Sequence, residues 1–141
     1  MTYWQLHYHL IWATFEREPS ITPEREKMLY GVLYRKAGEL GLKMHAAGNV
    51  EDHVHVVVSI PPKIAVAECV RHFKGASSRA INEMPEGDGH FKWQEGYAAL
   101  TVGEDALLQV SAYASRQKEH HRERSLLAIY ERLDESDPPG G

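Results

Sequence analysis

A chain of 141 residues, 43% hydrophobic and 26% charged, has material for one core and too little length for two ordinary domains. No run approaches the roughly 20 apolar residues of a membrane span. Residues 1–9 lack the basic start and apolar run of a signal peptide, and a single cysteine, Cys69, excludes an intrachain disulfide or a cysteine-rich zinc cage, so a cytoplasmic protein is expected. The net charge of −4 argues against a uniformly basic surface.

Residues 3–15, rich in aromatic and β-branched side chains and followed by a polar turn with Pro19, predict a first strand. Thr22 before Pro23 and Glu24 reads as a helix start, with a capping hydroxyl and a proline at the first helical position. Leu29, Leu33, Ala37 and Leu40 then recur at helical spacing up to Gly41, a natural stop. Residues 43–49 predict a second strand and residues 53–60 a third, whose valine density implies burial on at least one face.

After Pro61 and Pro62 a helix is predicted over residues 65–82, with Val66, Val70 and Phe73 as its apolar stripe. Pro85, Gly87 and Gly89 make residues 84–90 a loop. A fourth strand is expected near residues 97–102. The last helix is expected over residues 104–121, continuing or restarting through Tyr130. Residues 1–130 then form one domain and residues 131–141 an acidic tail. The order βαββαβ matches the ferredoxin-like split arrangement, an α+β fold with an antiparallel sheet and two packed helices. The extra C-terminal helix has no place in that basic fold and is available to a site or a partner chain.

Positive charge is local. Arg71, Lys74 and Arg79 lie in a stretch with no acid, and Arg116, Lys118, Arg122 and Arg124 face only Glu119 and Glu123. Such patches can serve a polyanion under an acidic total, or be solvated helix faces.

His53 and His55 stand two apart on the third strand, so both imidazoles point to one face while Val54, Val56 and Val58 pack against the other. Glu51 and Asp52 precede them and can orient a ring. His7 and His9 repeat the spacing on the first strand, and geometry alone does not rank the two pairs. The flanking acids and the valine run favour His53 and His55. On the last helix, Tyr113 and Gln117 are four apart and share a face. A phenol is a nucleophile for phosphorus once its proton is removed, and an amide oxygen is a hard ligand suited to Mg2+ or Mn2+. The plainer alternative makes Tyr113 a core residue and Gln117 an exposed one.

Five segments in order, YHLIWAT at 8–14, EDHVHVVV at 51–58, FKG at 73–75, WQEGY at 93–97 and YASRQKEHH at 113–121, resemble the single-tyrosine HUH transposases of the insertion-sequence 200/605 type and their REP-associated relatives. The resemblance spans nearly the whole chain. It implies that Tyr113 is the nucleophile and that His53, His55 and Gln117 hold a divalent Mg2+ or Mn2+. The implied reaction cleaves and rejoins single-stranded DNA with hairpin ends through a 5′-phosphotyrosine, in a homodimer and without a nucleotide cofactor. Arg71, Lys74, His120 and His121 are the candidate DNA contacts, while Trp93 and Tyr97 are assigned to the core ahead of base stacking. A hairpin-binding protein of the same fold without catalysis is the main alternative. A zinc enzyme using His45 as a third ligand is a more distant one.

Overall fold

The computed structural model describes residues 1–85, 87 and 89–118. Its elements are β1 (His7–Ala13), α1 (Pro23–Leu40), β2 (Lys43–Val50), β3 (His53–Ser59), α2 (Val66–Asn82), β4 (Ala98–Val102) and α3 (Leu107–Ser115). The four strands make one antiparallel sheet in the order β2-β3-β1-β4. This is the ferredoxin-like α+β arrangement expected from the element order. Among the described residues no helix is long and apolar enough to cross a membrane.

The ends of the elements follow from local chemistry. The Thr22 hydroxyl accepts from the Arg25 backbone N–H at α1's start, a cap that contributes about 1 kcal/mol. Gly41 ends α1 at φ 76°, where a side chain is disfavoured. β1 is shorter than residues 3–15 because residues 1–5 are exposed and residues 15–17 turn away as a single 3₁₀ turn.

Alternation divides the sheet into two faces. Leu10 and Trp12 of β1 and Val54, Val56 and Val58 of β3 join Leu29, Leu33 and Ala37 of α1 and Cys69, Val70, Phe73 and Ile81 of α2 in the main core. The three valines are fully buried, each contributing roughly 1.5–3 kcal/mol relative to exposure. The Trp12 ring stacks on Phe73 at 6.0 Å and meets Trp93 edge-on at 5.9 Å. The opposite face carries a small apolar cluster, Ala46, Val57 and Ala114, with Leu107 and Val110 against it, and there α3 lies across β2.

The last helix departs from the expected residues 104–121. Residues 104–106 form a 3₁₀ turn, α3 ends at Ser115, and the backbone breaks at Arg116 (φ −105°, ψ 39°) before helical geometry resumes at residues 117–118. The Arg116 N–H is shared between the Ala112 and Tyr113 carbonyls, the three-centre pattern of a helix terminus. His120, His121, Tyr130 and the expected acidic tail lie outside the described residues.

Candidate active site

The site begins at the turn joining β2 to β3. The Asp52 carbonyl accepts from the Thr14 N–H at 2.9 Å and from the Thr14 hydroxyl at 3.2 Å, and the Glu51 carbonyl accepts from the Ile21 N–H at 2.9 Å. The turn is thereby tied to the chain leaving β1. Its Asp52 carboxylate, 2.9 Å from His53 Nδ1, accepts that atom's proton and so leaves His53 Nε2 as the ring's lone-pair nitrogen. The sequence had suggested Glu51 or Asp52 for this role, and the geometry selects Asp52.

His53 and His55 are 0% and 1% exposed, and their rings lie 5.1 Å apart between centroids. Two imidazoles ligating one ion at about 2.1 Å can have centroids up to roughly 6 Å apart, so this spacing is short enough. Behind His55 stands His9, whose Nε2 is 2.7 Å from His55 Nδ1. Burial lowers the His9 pKa from 6.5 to about 4, so the ring is neutral at pH 7. A neutral His9 can accept at Nε2, and in that tautomer His55 donates from Nδ1 and presents Nε2 forward. β1 and β3 are hydrogen-bonded neighbours with Ile11 opposite His55, which brings His9 diagonally onto the same face.

The repeated His-x-His of β1 therefore separates by position. His9 joins the site, whereas His7 bonds Ser59 Oγ at 2.6 Å and Glu104 at 2.7 Å at the other end of the sheet. His45 Nε2 also reaches Ser59 Oγ, at 2.6 Å. Ser59 is four residues from His55, about 13 Å along an extended strand, so His45 sits away from the His53 and His55 pair. Sequence reading missed His9 as a supporting group. The signal was the shared face of neighbouring strands, available once the βαββαβ order was read.

α3 and the residues just past its end supply the remaining groups. The Tyr113 ring lies 6.3 Å from both the His9 and His55 rings, edge-on to each. Gln117 is 1% exposed, not the exposed residue of the plainer reading, and its Nε2 donates to the Tyr113 carbonyl at 2.9 Å. That bond satisfies a carbonyl at the helix break and orients the amide. Gln117 Oε1 is left buried with no hydrogen-bond partner. A buried acceptor left this way costs roughly 1–3 kcal/mol, and a bound cation is one partner that removes the cost.

Two imidazole nitrogens and one amide oxygen suit a hard or borderline divalent ion. Among the described residues no group of three or more His, Cys, Asp or Glu forms a metal site. A third donor would have to be of another kind, and the buried Gln117 amide oxygen is one whose chemistry fits a divalent ion.

The other candidates fall elsewhere. Arg71 pairs with Glu68 at 2.5 Å on the exposed side of α2. Lys74 donates to the Gln94 and Gly96 carbonyls, both at 2.7 Å, and so fastens α2 to the approach to β4. Both line an open groove of about 430 Å3 with Tyr97. Trp93 is in the core, its Nε1 donating to Ser77 Oγ at 2.9 Å.

The family described as "Transposase IS200 like" matches residues 2–117. The ISDra2 transposase TnpA of Deinococcus radiodurans is 33% identical over 119 residues, 81% of this chain and 85% of that protein. The transposase for insertion sequence element IS200 of Salmonella typhimurium is 28% identical over 134 residues, 91% of this chain and 87% of that one. A crystal structure from Deinococcus radiodurans assigned as a transposase superposes with a TM-score of 0.64 at 30% identity, over 80% of this chain and 92% of that chain. A REP-associated tyrosine transposase bound to a REP hairpin shares the fold, with a TM-score of 0.60 at 11% identity, over 81% and 70%. With its model matched from residue 2 to residue 117, the chain belongs to the IS200-like transposase family.

Proposed function

We propose that this transposase cleaves and rejoins single-stranded DNA, with Tyr113 as nucleophile and His53, His55 and Gln117 as the protein ligands of Mg2+ or Mn2+. The observation that carries the reading is α3 placing a tyrosine ring 6.3 Å from His55 while Gln117, two residues past the helix end, is buried with its amide oxygen unsatisfied. When bound, the ion supplies Lewis-acid stabilisation of the charge gathering on the phosphate oxygens. Asp52 and His9 hold the two imidazoles in the tautomer that offers Nε2, so the site is organised before substrate arrives.

Tyr113 Oη attacks phosphorus as its phenol proton passes to solvent. The P–O3′ bond breaks, the 3′ oxygen takes up a proton, and a 5′-phosphotyrosine remains. A second 3′-hydroxyl attacks this link, restores a phosphodiester and returns the phenol. One phosphoester is exchanged for another, so no nucleotide triphosphate is consumed.

The substrate in this reading is single-stranded DNA with hairpin ends, bound by a homodimer. Leu108, 88% exposed on α3, is apolar surface of the kind a second copy covers. Arg71 can exchange its exposed ion pair for a phosphate at small cost. Lys74 must give up two carbonyl hydrogen bonds to do so, which makes it the weaker phosphate contact.

The test is incubation with Mn2+ and single-stranded oligonucleotides from several hairpin-bearing element ends. A denaturant-resistant protein–DNA adduct is expected from the wild type, lost in Tyr113→Phe and under chelator. Tight hairpin binding by the wild type without any adduct, unaffected by Tyr113→Phe or chelator, selects the binding-only alternative.

A further inference from the structure

Gly48 lies in β2 directly opposite His55 of β3, on the face that carries α3. A Cβ at Gly48 would stand 1.7 Å from the Ala114 carbonyl oxygen, 2.8 Å from the Ala114 carbonyl carbon and 3.1 Å from Ser115 Cα. All three atoms are backbone, so no side-chain rotation relieves the clash. The helix must lift. Its φ is not in the left-handed region, so close approach is the reason for a glycine in mid-strand. Ala114, fully buried against Ala46 and Val57, is the residue immediately after Tyr113 and three before Gln117.

We infer that Gly48 is a positioning residue: its bare Cα sets the depth at which α3 rests on the sheet, and so brings Tyr113 and Gln117 to the histidines. The inference rests on the proposed reaction for its functional meaning, but the docking itself is measurable without metal or DNA. Any side chain at Gly48 displaces the Ala114 carbonyl by at least about 1.5 Å to reach ordinary contact, and a displacement near 1 Å at a reacting group can cost about 10²-fold in rate. The main core lies on the other face of the sheet, so the fold does not depend on this contact.

The experiment uses the full chain carrying Gln117→Cys and reads thiol alkylation by intact mass at neutral pH. The only native thiol, Cys69, is fully buried in the main core, and burial pushes its pKa up to about 11, so it reports global unfolding. Slow labelling is expected at the introduced thiol, rising at least tenfold when Gly48→Ala is added, with Cys69 still protected. Gly31→Ala, in open space on α1, serves as the control and leaves the rate unchanged. Fast labelling of Gln117→Cys alone, no acceleration by Gly48→Ala, or joint labelling of both thiols overturns the inference. An accelerated label with no DNA adduct from the wild-type chain leaves the docking role standing and removes the reaction.

Discussion

The two faces of the sheet are built from the same strands and differ in what they tolerate. On the α1 and α2 face, β3 presents Val54, Val56 and Val58 to an apolar cluster of Trp12, Phe73 and the helix leucines. One residue out of phase, the same strand presents His53, His55 and Val57 to a face covered by one short helix over alanines and a glycine. Stability is concentrated on the first face, where the contacts are mostly apolar, the Trp93–Ser77 hydrogen bond being an exception. The second face carries buried polar atoms, Gln117 Oε1 among them without a partner, and depends on the first to keep it in register. A one-residue slip of β3 would exchange the two sets.

The largest expected separation between the faces comes from Tyr113→Phe, which removes one hydroxyl from the polar face. Adduct formation should fall by at least about 10³-fold, as expected for the loss of a nucleophile, with the unfolding midpoint little changed. Phe73→Ala attacks the apolar face. It should cost about 3–5 kcal/mol in urea unfolding, while adduct yield per folded molecule stays near wild type. A fall in adduct yield per folded molecule would show that the faces are not separable in this way.

Acidification reaches the polar face through His9. His9 has a pKa of about 4 when folded against 6.5 when unfolded, so the unfolded chain binds the extra proton more readily. Its contribution is complete above pH 6.5 and is lost as pH falls toward 4, a change of up to about 3 kcal/mol. Urea titrations of chelator-treated protein between pH 7 and pH 4 should show this loss, and His9→Asn should flatten it. The smallest effect is expected from Asp52→Ala, which frees the His53 ring to turn. Mn2+ affinity should fall about 10–100-fold, read by calorimetry, with stability nearly constant. Unchanged affinity would remove Asp52 from its orienting role.

Much of the apolar face was legible in the sequence, because it rests on local rules: the Thr22–Pro23 start, the Gly41 stop, the periodic leucines of α1 and the alternation in β3. The His53 and His55 pair was legible for the same reason. The rest depended on contacts between residues distant in sequence. His9 becomes a partner of His55 only through the β1–β3 register, 46 positions apart. Spacing alone left Gln117 open between a ligand and a surface residue, because its burial follows from the break at Arg116 and from α3 crossing β2 at Gly48. Lys74 looked like a free cation because the carbonyls it holds lie about 20 residues further on. Charge and spacing reveal which groups exist, but not which long-range partner takes them.

The bond between His7 and Glu104 gives α3 the mechanics of a lever. Glu104 begins the 3₁₀ turn that leads into the helix, and His7 pins it to the central strand, so the element is anchored at its root. Nine residues separate that pivot from Tyr113, roughly 14 Å at helical rise, and a tilt of about 5° there swings the far end by about 1 Å. Angular error at the root is therefore magnified at Tyr113, and in the proposed reaction a rigid fulcrum at His7 and Glu104 would govern how accurately the phenol is aimed.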